Sequence, residues 1–122
     1  MSSEELSNVD FAKRVLRGMS LSPQQSLDLA KKLLQERGYG YARRILALAR
    51  KHPDANDEKS LQLKLAQWHA LCTYKDPDLA YDSRLDSALE ILDTADDLKT
   101  TNNQETLGIT GAIYKSRYEA DG

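Results

Sequence analysis

His69 and Cys72 stand three residues apart, a spacing that puts an imidazole and a thiol on one side of a helix. Such a pair could generate a reactive thiolate or begin a metal site. A zinc site needs three or four ligands, however. Cys72 is the single cysteine, and His52, the other histidine, stands alone beside Pro53. A cysteine nucleophile would also need an oxyanion site and a third group to orient its base. With Trp68 and Leu71 as neighbours, Cys72 reads as a small core residue. The sequence therefore predicts no catalytic residue, no metal and no cofactor.

Two charged groupings remain. Asp86, Glu90, Asp93 and Asp97 line one side of a helix, with Asp96 nearby, and a straight row of this kind cannot wrap a cation. It reads as a solvated acidic face. Lys13, Arg14, Arg17, Lys31, Lys32, Arg43 and Arg44 could instead contact phosphates, which makes a nucleic-acid surface the main alternative for the basic half. Gly38-Tyr39-Gly40 lacks the lysine and the preceding strand of a phosphate-binding loop.

Charge is divided along the chain. Residues 1–53 hold 10 Lys/Arg against 5 Asp/Glu, and residues 54–122 hold 7 against 14, so the net charge of −2 conceals two opposed halves. With 122 residues, 40% hydrophobic and 30% charged, the chain suits one domain, 1–122, with a modest core rather than a disordered segment. No run approaches the length of a membrane span, the start Met1 to Glu5 lacks the profile of a signal peptide, and a lone cysteine makes no internal disulfide. These features predict a cytoplasmic protein without membrane attachment.

The positioning elements all read as helices, and no segment alternates with a period of two. Ser7 and Asp10 form a capping pair before the stripe Phe11, Ala12, Val15 and Leu16, and Gly18 can close that helix within residues 1–21. Ser22-Pro23 is an N-cap followed by proline at the first helical position. Leu27, Ala30, Leu33 and Leu34 give that helix its buried face. Gly38 and Gly40 then break it before a second stripe, Tyr41, Ala42, Ile45, Leu46 and Ala49, which Pro53 stops. So short a connection requires antiparallel packing, and 22–53 is expected to be a hairpin.

A second hairpin is expected over 57–100. Asp57 and Glu58 place negative charge at the start of its first helix, which runs to about residue 74. Leu61, Leu65, Trp68 and Cys72 form one stripe there, while Leu63, Ala66, Ala70 and Leu71 spread apolar surface around the cylinder, as in a helix packed between others. Leu85, Ala88, Leu92 and Ala95 mark the next helix, about 83–100. A last one, 104–120, follows the polar break Thr100–Asn103.

The chain repeats itself. Ala42-x3-Leu46-x2-Ala49 recurs as Ala88-x3-Leu92-x2-Ala95, and Ile45 matches Ile91. With the first helices aligned on Leu27, Leu65 and Leu107, the pattern continues through Lys31, His69 and Gly111 to Leu34, Cys72 and Tyr114. This pattern resembles the tetratricopeptide repeat, and Gly111 and Tyr114 match it best. Lys31 and His69 stand where that repeat places a small residue. The copies are 46 residues apart, longer than the usual ~34. The segment Gln104 to Lys115 (QETLGITGAIYK), continuing through Tyr118, is similar to the TRAFs-binding domain, a helical-repeat family. That family includes the regulatory region of apoptosis-signal-regulating kinases and many bacterial tetratricopeptide proteins.

The resemblance implies an all-α array of antiparallel hairpins, about six helices in all, acting as a non-catalytic protein–protein interaction scaffold or regulatory adaptor in a signalling or defence system. Its partner would be a peptide, a helix or a linked effector domain. Such grooves bind through their first helices, here 22–37, 57–74 and 104–120. On the aligned register the concave polar candidates are Asp28, Lys32, Gln35, Thr73 and Lys115. The 46-residue offset also maps Arg44 onto Glu90, Arg50 onto Asp96 and Lys51 onto Asp97, which suggests charge pairing between stacked hairpins or between chains in a homo-oligomer. Leu107, Ile109, Ile113, Tyr114 and Tyr118 lie on a helix without a second-helix partner. That predicts either the N-terminal part of a longer protein or a helix that docks on another chain.

Overall fold

The computed structural model describes residues 7–55 and 58–121, the last two by their backbone alone. Among these residues the secondary structure is helical, with no strand: α1 (Asn8–Leu16), α2 (Pro23–Gln35), α3 (Tyr39–Lys51), α4 (Lys59–Lys75), α5 (Tyr81–Ala95) and α6 (Gln104–Asp121), plus a single 3-10 turn at Pro53–Ala55.

The starts follow local chemistry. The Ser7 hydroxyl accepts from the Asp10 N–H, capping α1. Ser22 and Gln25 complete a reciprocal capping box on α2, with Pro23 in its first turn. Asp57, expected at the start of α4, lies outside the described residues, and Glu58 holds the N-cap position.

The ends depart from expectation in two places. Gly38 lies in the break between α2 and α3 as expected, but the left-handed residue there is Arg37, at φ 63°. The Arg37 N–H donates to the Leu34 carbonyl and the Gly38 N–H to the Leu33 carbonyl, a Schellman closure with arginine where glycine is usual. A Cβ at Gly38 would crowd the Leu33 carbonyl at 3.3 Å, which would have to give by a few tenths of an ångström. Gly40 falls inside α3. The second departure is α5, which stops at Ala95 rather than near 100. The Asp93 carboxylate accepts from the Leu98 N–H and Asp96 from the Thr101 hydroxyl, so acidic side chains fold the backbone out of the helix.

Packing produces two cores joined by α4. The first collects Ala12 and Val15 of α1, Leu27, Ala30 and Leu33 of α2, Ala42, Ile45, Leu46 and Ala49 of α3, and Leu65 and Cys72 of α4. The second collects Ala70 of α4, Leu85, Ala88 and Leu92 of α5, and Ile113 of α6. α4 therefore contributes to both, as its apolar girth predicts. The inner helices meet in order, α2 against α4 and α4 against α6, while α3 and α5 back them.

The repeated motif is not buried equally. Ala42, Leu46 and Ala49 are all enclosed, as are Ala88 and Leu92, but Ala95 is exposed. α1 packs over the first copy, whereas Ala95 is the last residue of α5 and no element among the described residues covers it as α1 covers Ala49.

Candidate functional site

α4 and α6 diverge around a cavity of about 310 Å³. Trp68, Leu71 and Ile109 form apolar walls, Gly108 leaves space, Glu105 stands exposed and Gln67 is buried among them. Gln67 is fixed from the far side. Its Nε2 donates to the Asn103 Oδ1 at 3.1 Å and to the Thr106 Oγ1 at 2.9 Å. The Asn103 Oδ1 also accepts from the Thr106 N–H, capping α6, so it must face a donor, and the Gln67 amide can point only one way. Its carbonyl oxygen, Oε1, takes no hydrogen bond among the described residues. Trp68 is braced from α2, where the Lys31 ammonium lies 5.3 Å from the ring centre.

Lys31 and His69, which fill positions where the repeat has small residues, are accommodated differently. Lys31 reaches outward over Trp68, whereas His69 turns toward α3 and takes a hydrogen bond at Nδ1 from Arg50 Nη1, 3.0 Å away. Burial, together with the positive charges of Arg50 and Arg43, pulls the His69 pKa down to about 4, so the ring is neutral at pH 7. Burial pushes the Cys72 thiol up to about 12. A buried, neutral thiol is a poor nucleophile, and Cys72 sits in the first core as the sequence suggests.

The five concave polar candidates do not converge. Asp28 and Lys32 line a separate groove of about 250 Å³ between α1 and α2, with Phe11, Leu21 and Leu29. Gln35 is exposed at the end of α2. Thr73, expected on the concave surface, is buried and donates its hydroxyl to the His69 carbonyl of its own helix. Lys115 is exposed on α6, 4.0 Å from Glu119. The recess between α4 and α6 is lined by other residues: Gln67, Trp68, Leu71, Glu105, Gly108 and Ile109. Trp68 and Ile109 were visible in the sequence as apolar positions. Gln67 carried no signal, because its partners are 36 and 39 residues away.

The expected charge pairs also take other arrangements. Arg50 shares a cleft with Thr94 and Ala95, but its guanidinium goes to His69. Among the described residues no salt bridge joins Arg44, Arg50 or Lys51 to Glu90, Asp96 or Asp97. The bridges across the fold are Arg43–Asp76, at 2.7 Å and nearly buried, and Arg117–Asp86 between α6 and α5. Burial opposes ionisation of Asp76, yet the Arg43 guanidinium and the Asp78 N–H hold its carboxyl below the usual range. Two members of the basic patch, Lys31 and Arg43, are thus engaged within the fold.

The exposed stripe expected on α6 is partly present. Leu107, Tyr114 and Tyr118 face outward, but Ile113 is fully buried in the second core and Ile109 packs against it. α6 is not a free-standing docking helix, because one side of it completes the fold. No helix among the described residues is long and apolar enough to cross a membrane.

A family model described as Tetratricopeptide Repeats-Sensor matches residues 24–122, which span α2 to α6. No curated protein and no solved structure matches the chain. The chain belongs to the Tetratricopeptide Repeats-Sensor family. Repeats of the tetratricopeptide type generally mediate protein–protein interaction and are typically non-catalytic.

Proposed function

We propose that this member of the Tetratricopeptide Repeats-Sensor family is a non-catalytic scaffold that holds a peptide or helix of a protein partner along α2, α4 and α6. The observation that carries the reading is the cavity between α4 and α6. An open apolar recess with one anchored polar group, on the inner row of a helical array, is the form of a recognition site. The family description and the resemblance of 104–122 to the TRAFs-binding domain support placing the scaffold on the sensing side of a signalling or defence protein, with a linked effector as one form of partner.

Capture with the purified chain and with Leu71→Asp, each at two salt concentrations, tests this reading. The expected result is a discrete protein recovered at both salts and lost with Leu71→Asp. Nucleic acid recovered only at low salt, and lost when Lys13, Arg14 and Arg17 are replaced, would transfer the function to the basic half. Chain-to-chain pairing is a secondary reading, since Arg44, Lys51, Glu90 and Asp97 are all exposed. It predicts that sedimentation of Arg44→Glu/Lys51→Glu gives a lower mass than the parent chain.

A further inference from the structure

We infer that the cleft where α3, α4 and α5 meet binds a small phosphate monoester, its phosphate between Arg50 and Lys59 and its organic group against Leu63 and Ala95. This cleft is separate from the α4–α6 recess, and a ligand there does not depend on the scaffold reading. Its volume is about 410 Å³, within the range of small-ligand sites, and Gln62 and Thr94 complete the lining, which includes no acidic side chain.

Arg43 and Arg50 stand seven residues apart on one side of α3, and the fold partners them differently. Arg43 has a counter-ion, the buried Asp76 carboxylate at 2.7 Å. Arg50 has none among the described residues. Its Nη1 donates to His69 Nδ1 at 3.0 Å, and that ring is neutral at pH 7. A guanidinium does not shed its proton to escape burial, so half-buried Arg50 keeps a full charge opposite an uncharged partner. Such a charge favours an anion brought from outside.

Lys59, exposed at the start of α4, adds a second cation to the cleft. Two cations match a dianion better than a single carboxylate. A phosphate monoester carries close to two negative charges at pH 7 and accepts from both a guanidinium fork and an ammonium. The last turns of α3 and α5 border the cleft and their carbonyl ends oppose an anion, so one cation would not suffice. The carboxylates that follow in the chain are engaged in their own loop: Asp93 accepts from the Leu98 N–H, Asp97 from the Lys99 N–H and Asp96 from the Thr101 hydroxyl. Leu63 and Ala95 offer apolar surface to the group that the phosphate carries.

The test titrates the isotope-labelled chain at pH 7 and constant ionic strength with phenyl phosphate, inorganic phosphate and benzoate, followed by NMR. Phenyl phosphate is expected to shift the Arg50 Nε–H, the His69 ring and the Ala95 amide, with benzoate and inorganic phosphate each roughly tenfold weaker or more. Arg50→Gln is expected to abolish the response. Lys59→Gln, a change at an exposed position that leaves the fold intact, is expected to weaken it severalfold. Benzoate binding as tightly as phenyl phosphate overturns the inference, and so does full binding by both variants. Shifts confined to Lys13, Arg14 and Arg17 on α1 overturn it as well. Inorganic phosphate binding as tightly as phenyl phosphate overturns the assignment to a monoester.

Discussion

α3 and α5 carry the same motif and are solved differently by the fold. Ala49 lies in a closed core beneath α1, while Ala95, its counterpart, faces solvent at the last turn of α5. The same contrast recurs on the inner helices, where Lys31 projects over an indole and His69 is drawn in toward Arg50. A repeat thus specifies which side chains can be buried, but the neighbouring element decides which ones are.

Matched substitutions probe the contrast most directly. Ala49→Asp should cost about 3–5 kcal/mol, since it buries a carboxylate without a partner, whereas Ala95→Asp should stay within about 0.5 kcal/mol. Urea unfolding of the two variants measures the difference, and equal losses would mean that α1 does not distinguish the hairpins.

The inner-helix contrast predicts a pH dependence. Folded His69 titrates at about 4 against 6.5 for a free histidine, so between these values the unfolded chain binds more protons. Stability is fully present above pH 6.5 and is lost as the pH falls toward 4, by roughly 3 kcal/mol from this residue. His69→Gln should flatten that part of the profile, and a slope that survives the substitution would assign it elsewhere.

α6 allows a smaller comparison between its two sides. Ile113→Val removes one methyl from the second core and should cost about 1 kcal/mol, while Tyr118→Ser on the open side should cost nothing measurable by the same unfolding curves. A loss at Tyr118 in dilute protein would show that this side is covered. The smallest effect expected is a gain. Arg37→Gly relieves a left-handed arginine at the end of α2 and should raise stability by about 0.5 kcal/mol, unlike any change at Gly18, whose φ of 123° excludes other residues. A decrease on Arg37→Gly would mean that the arginine side chain contributes more than its backbone costs.

Helix number, the N-caps of α1 and α2 and the core stripes were legible because their causes are local. Ser22-Pro23-x-Gln25 closes on itself within four residues, and the apolar spacing of Leu27, Leu33, Ile45 and Leu46 follows the helical period. The candidate site was less legible. Extrapolating the repeat register chose Thr73, which back-bonds within its own turn, and Asp28 and Lys32, which α1 claims for another groove. Gln67 was passed over because a glutamine in an apolar helix has no meaning until the cap of α6 arrives beside it.

By itself the sequence determined the all-α class, its six helices and the core place of Cys72, since these rest on periodicity and capping. Only the tertiary structure decided that Arg50 meets His69 rather than Asp96, that Ile113 turns inward, and that Gln67 is tied to Asn103 and Thr106 beside an apolar recess. Each of those depends on where one helix lies against another, and side chains separated by tens of residues acquire partners only when the packing brings them within hydrogen-bond distance.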